Sequence, residues 1–349
     1  MNKKIMLVYS TIHFIVDFSC AVLVANIITP QLTGSFSLFL AIVIYNFFAF
    51  AIQLPIGILA DKINKNALCS ALGCVLVILA FGISKFGIIS CLVAGIGNAM
   101  FHIGGGIDVL NVSNKKAALS GIFVSTGALG TFLGSIITNI SFNINYFTIL
   151  ILLLSTIALI WLYTQIKNKL NNKVPLVPNI NKKELIVIIC LILTVCIRSY
   201  VGSILSFSWK SNYILALLFV FGVILGKMFG GLLGDKFGFI NVSVFSLILS
   251  AILFTGAFDS SICGILAVLL FNMTMPITLI SLANIFNNNK GLAFGLLTFA
   301  LFLGAVPIFW GYIDILFNPI GLFAITMTSA IILFIGLNGY NKLMEKKYD

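Results

Sequence analysis

The sequence predicts an all-α polytopic membrane protein, with twelve transmembrane helices built as two parallel six-helix repeats. Three observations lead there. The chain has 349 residues, of which 60% are hydrophobic and 8% charged, and its mean hydropathy is +1.17. A soluble domain carries about 25% charge, so a water-soluble globule is excluded. The apolar residues fall into twelve stretches, most of them close to the roughly 20 residues that a helix needs to cross a bilayer. Finally, the two halves of the chain match at one constant offset, set by Gly57 and Gly231.

Taken in order, the apolar stretches lie at 5–28, 36–60, 67–84, 86–107, 116–140 and 146–165, then at 184–207, 212–234, 239–257, 261–285, 291–311 and 320–338. The first is too long for a signal-peptide core and lacks a small-residue cleavage site, so it reads as helix 1. The Asn/Lys/Pro-rich segment 166–183 divides an N-terminal half, 1–165, from a C-terminal half, 184–349. Lysines gather at one end of the helices, in Lys3, Lys4, Lys62, Lys65, Lys115, Lys116, the linker, Lys236, Lys290 and the C-terminal tail. The opposite loops hold only Lys85 and Lys210. This bias predicts a multi-pass protein of the cell membrane with both termini cytoplasmic. It also explains the net charge of +11 without any nucleic-acid partner. The seven cysteines lie in apolar stretches with no CxxC pair and read as buried thiols.

Along the shared offset Gly57 pairs with Gly231, Asp61 with Asp235, Lys62 with Lys236, Asn98 with Asn272, Lys116 with Lys290 and Gly121 with Gly295. Six helices per half give both repeats the same orientation, so they are related by an axis along the membrane normal. Such a pair encloses a midplane site that rocking opens to either side. The expected function is therefore secondary transport of a small solute.

Between helices 2 and 3 the chain reads Gly57-Ile-Leu-Ala-Asp61-Lys62-Ile-Asn-Lys65, and a partial copy, Gly231-Leu-Leu-Gly-Asp235-Lys236, follows helix 8. With the 6+6 layout, these loops resemble those of the major facilitator superfamily. The resemblance implies a conformational latch at Gly57, Asp61, Lys62, Lys65, Gly231, Asp235 and Lys236; a tight turn with positive-inside anchors is the alternative. Asp61 is placed at the start of helix 3, where the dipole favours an anion. His13-Phe-Ile-Val-Asp17, Gly97-Asn98-Ala-Met-Phe101-His102 and Gly127-Ala-Leu-Gly130 further resemble the fosmidomycin-resistance branch of drug exporters. The chain departs from that pattern where Ile103 replaces a proline, where Ala128 follows Gly127 instead of proline, and in lacking a helix-4 arginine.

An ionisable residue at the bilayer centre costs about 2.5–3.5 kcal/mol, so each asks for a reason. Asp17 and the single arginine, Arg198, lie roughly 18 and 21 Å along helices 1 and 7. Facing each other near the midplane, they would form either a substrate or gating contact or a static salt bridge. His13 shares a helix face with Asp17, and His102 reaches a similar depth. Proton coupling through Asp17, His13 and His102 is one reading, since imidazole titrates near neutral pH; histidines bonded to backbone carbonyls are the other. The three residues come from two helices without a metal-ligand spacing, so no metal is expected.

Arg198, Asp17, Asn98, Asn272, Lys227 and Gln53 are the substrate-binding candidates. Snorkelling of Lys227 and interhelical bonding of the two amides are the competing roles. The glycine runs 222/226/230/234 in helix 8 and 127/130/134 in helix 5 are expected to pack on each other. Gly104-Gly105-Gly106 is expected to end or bend helix 4, and Pro276 or Pro307 to break helix 10 or 11. No nucleotide-binding loop, HExxH or GxSxG occurs, so the chain is expected to be neither an enzyme nor a primary pump and to need no cofactor. The reading is a monomeric, proton-coupled exporter of a small, anionic or drug-like solute. An uptake symporter or uniporter for an organic anion, and a non-transporting sensor of the same fold, are the alternatives.

Overall fold

The computed structural model describes residues 2–137, 144–165, 175, 178–311 and 315–345. Most of the linker 166–183, with Lys167, Lys169 and Lys173, and the tail lysines Lys346 and Lys347 lie outside the described residues. Among those described there is no strand. Ten helices are long and apolar enough to cross a membrane. They are α1 (Lys3–Gln31), α2 (Ser35–Ile63), α4 (Ile88–Val112), α5 (Ala117–Ile136), α6 (Asn145–Gln165), α7 (Lys182–Ile204), α8 (Tyr213–Phe237), α10 (Ser261–Phe286), α11 (Lys290–Phe309) and α12 (Pro319–Glu345). The shorter apolar helices α3 (Asn66–Gly82) and α9 (Phe239–Thr255) complete the expected series. Helix dominates because a backbone in hydrocarbon must satisfy every N–H and C=O internally.

Polar residues set the ends. Asn181 and Glu184 form a reciprocal capping box at the start of α7, and Asn212 accepts from the first amides of α8. Gly238, at φ +90°, makes the one-residue corner between α8 and α9, a conformation that a side chain would strain.

The helices sort into two compact units. One holds Met1–Val112, Thr126–Val177 and Asn288–Phe299, and the other Ser113–Ser125, Pro178–Asn287 and Ala300–Asp349. Each unit thus takes the first turns of a helix from the other half of the sequence. In the first unit α4 packs on α1, α2 and α3, and α6 packs on α1 and α3. In the second, α10 packs on α7, α8 and α9, and α12 on α7 and α9. The neighbour map of helices 1–6 therefore recurs six helices later, as parallel repeats require.

Three local expectations are corrected. The helix α4 runs unbroken through Gly104-Gly105-Gly106 to Val112. A Cβ at Gly104 would overlap Asn66 and Ser70 of α3, so the glycines serve close approach rather than a break. Pro307 lies inside α11, which continues to Phe309, whereas α10 is interrupted at Met273. Pro276 has no N–H to offer the carbonyl of Asn272, one turn back, which places the interruption there. The glycine runs also choose other partners. Gly222, Gly226 and Gly230 lie against the carbonyls of Ile265, Leu269 and Met273 in α10, and Gly130 and Gly134 against those of Phe14 and Phe18 in α1. Two π-helical turns, Val22–Ile28 in α1 and Phe47–Ala51 in α2, have no signature in the apolar pattern.

The α8 seam makes a sharp prediction. A methyl group at Gly230 would overlap the backbone of Met273, while one at Gly202 in α7 meets nothing within 4 Å. Gly230→Ala is expected to cost about 1–3 kcal/mol and lower the melting temperature of the detergent-solubilised protein. Gly202→Ala should leave it unchanged or slightly raised. Equal melting of the two variants would show that the seam is loose.

Candidate functional site

Tyr9, His13 and Asp17 recur at four-residue spacing and so share one face of α1. That face meets α4, which carries Asn98 and His102 one turn apart. His102 Nδ1 lies 2.9 Å from the carbonyl oxygen of Asn98. A carbonyl only accepts, so Nδ1 bears the proton of the neutral ring and Nε2 is left as an acceptor. His13 Nε2 sits 2.8 Å from His102 Nε2 and therefore donates to it. The same His13 nitrogen lies 3.2 Å from Asp17 Oδ2. Asp17 Oδ1 is 3.6 Å from His102 Nε2 and accepts from Asn98 Nδ2 at 2.9 Å. One ring proton thus serves two acceptors, an imidazole and a carboxylate. Gly127 of α5 closes the cluster, because a Cβ there would overlap both His13 and Asp17.

The three donors of this cluster lie within 4.8 Å of one another, close enough for a metal ion as well as for a proton. Packing of α1 on α4 at this level brings His102 to His13 and Asp17, as their similar depth suggests.

Toward the N-terminal end of α1, the same seam holds a group that the sequence reading passed over. Asp108, 4% exposed, accepts from the Tyr9 hydroxyl at 2.7 Å and from Asn66 Nδ2 at 2.7 Å. The apolar stretch 86–107 stops one residue short of Asp108, so the pattern alone leaves it in a loop. The available signal was Tyr9 itself, one turn before His13 on the polar face of α1.

In the second unit, Arg198 of α7 is 7% exposed and donates from Nη1 to Thr278 Oγ1 of α10 at 3.4 Å. Among the described residues no carboxylate pairs with it. The repeat-related amides diverge. Asn98 bonds across helices to Asp17, whereas Asn272 turns back onto the carbonyl of Val268 in its own helix. Gln53 is fully buried below the π turn of α2, donating to Ala49 O, while its Oε1 has no hydrogen-bond partner. Lys227, its repeat counterpart, is half-buried in α8.

The two loop motifs do something the sequence did not foretell. Asp61 lies in the last turn of α2, not at the start of α3, and is 8% exposed. Its carboxylate accepts from the amides of Gly291 at 2.7 Å and Leu292 at 2.8 Å, capping α11. Asp235, near the end of α8, accepts from Ala117 at 2.7 Å and Ala118 at 2.9 Å, capping α5. Glycines let these helices meet, since a Cβ at Gly57 would overlap Gly291 and one at Gly231 would crowd Ala117. Lys62 and Lys65 are exposed, and Lys236 lies over the ring of Phe237 at 4.9 Å.

No protein-family model and no curated protein matches the chain. Solved structures do match it. One of the E. coli fucose:proton symporter FucP is similar over 96% of this chain and 98% of its own, at 13% identity and a TM-score of 0.69. A major facilitator superfamily transporter, FucP in the outward conformation, is similar over 95% and 99%, at 14% identity and 0.64. The human organic anion transporter MFSD10 (TETRAN) covers 97% and 99%, at 11% identity and 0.68. The chain has the major facilitator fold.

Within a major facilitator fold these polar groups are unevenly distributed. Among the described residues the first unit carries a cluster of titratable groups on α1 and α4, while the second holds one buried cation, Arg198, on α7. The motif carboxylates lie near the ends of their helices and are tied to backbone amides. A His–Asp–His cluster, a buried cation and two helix caps are therefore separate pieces of chemistry on one scaffold.

Proposed function

We propose that this protein is a secondary transporter that exports a small organic anion in exchange for protons. The observation that carries the reading is the His13–Asp17–His102 cluster, in which a single ring proton is shared between an imidazole and a carboxylate. A second proton entering the cluster must change the charge of Asp17 or of a histidine, and with it the hydrogen bonds that tie α1 to α4. Chemistry of this kind converts proton binding into helix movement. Gly127, with no side chain, leaves α5 free to follow.

The anion class rests on Arg198. A buried guanidinium without a carboxylate partner is costly unless an anion completes it, and its planar fork suits a carboxylate or phosphate. Thr278 beside it offers a further polar contact. Proton coupling and organic-anion transport are properties named for the structural neighbours FucP and MFSD10 respectively, which supports pairing them here. The capped ends of α5 and α11 serve as the latch that holds one state of the cycle. The lysine bias places these caps on the cytoplasmic side.

The test uses inverted membrane vesicles acidified inside, with a pH-sensitive dye and panels of anionic, zwitterionic and cationic solutes. Dye recovery on the anionic panel supports the proposal. Recovery only with the opposite gradient supports uptake by symport instead, and no flux under any gradient favours a sensor. Arg198→Ala is expected to raise the half-saturating anion concentration at least about tenfold, with Arg198→Lys in between, because a point charge replaces a bidentate fork.

A further inference from the structure

The start of α7 and the end of α12 form a groove of about 740 Å³ that has no part in the chemistry above. Its walls are apolar and open to the outside, with Ile186 57%, Ile335 52% and Phe334 46% exposed. Both helices are long enough to span a membrane, so these walls face acyl chains. At one end each helix contributes a cation, Lys183 from α7 and Lys342 from α12, and Asn338 lies between wall and mouth. Both lysines are exposed, and among the described residues neither forms an ion pair. The helices touch just inside the groove, where Gly339 meets the side chain of Val187 and Gly336 that of Cys190. The cleft is therefore bounded on its inner side by a close helix contact.

We infer that this groove binds an anionic phospholipid, its phosphate held by Lys183 and Lys342 and one acyl chain lying along Ile186, Phe334 and Ile335. The argument is charge complementarity at a fixed depth. Basic groups placed between transmembrane helices at the headgroup level select anionic lipids, and each lysine near the surface adds to the attraction. Lys183 also stands in the first turn of α7, where the helix dipole favours a negative group. Glu345 lies at the same mouth and is the one acid among the described residues lining it. It disfavours a second negative charge on the ligand, while the two lysines favour a headgroup with a net negative charge, so the ligand carries a single anionic phosphate, as phosphatidylglycerol does. By the lysine bias the site belongs to the cytoplasmic leaflet.

The full-length protein in detergent, examined by native mass spectrometry with equal phosphatidylglycerol and phosphatidylcholine, tests this. The expected result is retention of phosphatidylglycerol over phosphatidylcholine by about tenfold or more, with a rise in melting temperature on its addition. K183Q/K342Q should lose the preference without losing the fold, and K183R/K342R should keep it. Equal retention of the two lipids, or a preference untouched in K183Q/K342Q, overturns the inference. Saturation by soluble glycerol phosphate alone would make the site a phosphate site rather than a lipid site. A dimer that forms through this face and dissociates in K183Q/K342Q would make the occupant a second copy. Either result overturns the lipid assignment.

Discussion

Replacing Asp17 by asparagine is expected to lower proton-driven solute flux about a hundredfold and to abolish its dependence on pH. Asparagine keeps the shape of the site: its carbonyl oxygen can still accept from His13 Nε2, which lies 3.2 Å from the present Asp17 Oδ2. What disappears is the carboxylate that competes with His102 Nε2 for the His13 proton. Solute exchange across the membrane with no proton gradient should therefore survive, because it needs binding and rocking but no change of charge. The measurement is a comparison in reconstituted vesicles of net uptake driven by a proton gradient and counterflow at equal pH. Loss of the first with retention of the second places Asp17 in the proton step. Loss of both with a normal melting temperature would make Asp17 a solute ligand, and retention of both would remove it from the mechanism. His102→Gln is a milder companion, since it replaces an imidazole that can take up a proton by an amide that cannot, and leaves the Asp17 carboxylate in place.

How much of this was legible beforehand depends on distance along the chain. The membrane class, the helix series and the repeats are written in composition and spacing, and the helices fall within a few residues of the expected stretches. His13 and Asp17 could be placed on one face because four residues make one turn. The partner on α4 was readable only as a matter of depth. Asp108 was missed because three consecutive glycines look like a helix end in water, whereas between packed helices they allow contact with Asn66 and Ser70. The glycine runs were correctly seen as close-packing faces, yet periodicity says nothing of which helix lies opposite, and both chose a neighbour other than the one expected. The caps were the least visible. Asp61 finds its amides 230 and 231 residues away, and no local pattern marks an amide as a recipient.

Those caps carry the second large effect. Each motif carboxylate accepts two amides at the N-terminus of a helix from the other half of the sequence, in a position where an anion is favoured. Hydrogen bonds to a charged acceptor contribute about 1.5–3 kcal/mol each, and asparagine retains one oxygen without the charge. Asp61→Asn is therefore expected to destabilise the capped arrangement by about 2 kcal/mol, a shift of roughly thirtyfold between it and an uncapped one. Asp235→Asn should do less, because Asp235 is exposed and water can replace the lost bonds, whereas Asp61 is 8% exposed. Single cysteines introduced beside Gly291 and Ala117 report the opening of each cap by their rate of labelling. Faster labelling at Gly291 in Asp61→Asn, with Ala117 labelling slowly as before, would show that the two latches release independently. If Asp61→Asn accelerates both sites alike, the caps act as one latch, and their separate glycine contacts at Gly57 and Gly231 are parts of a single closure. Unchanged labelling at both would reduce the motif to a turn, since a helix cap that holds a state of the cycle must expose its amides when its charge is removed.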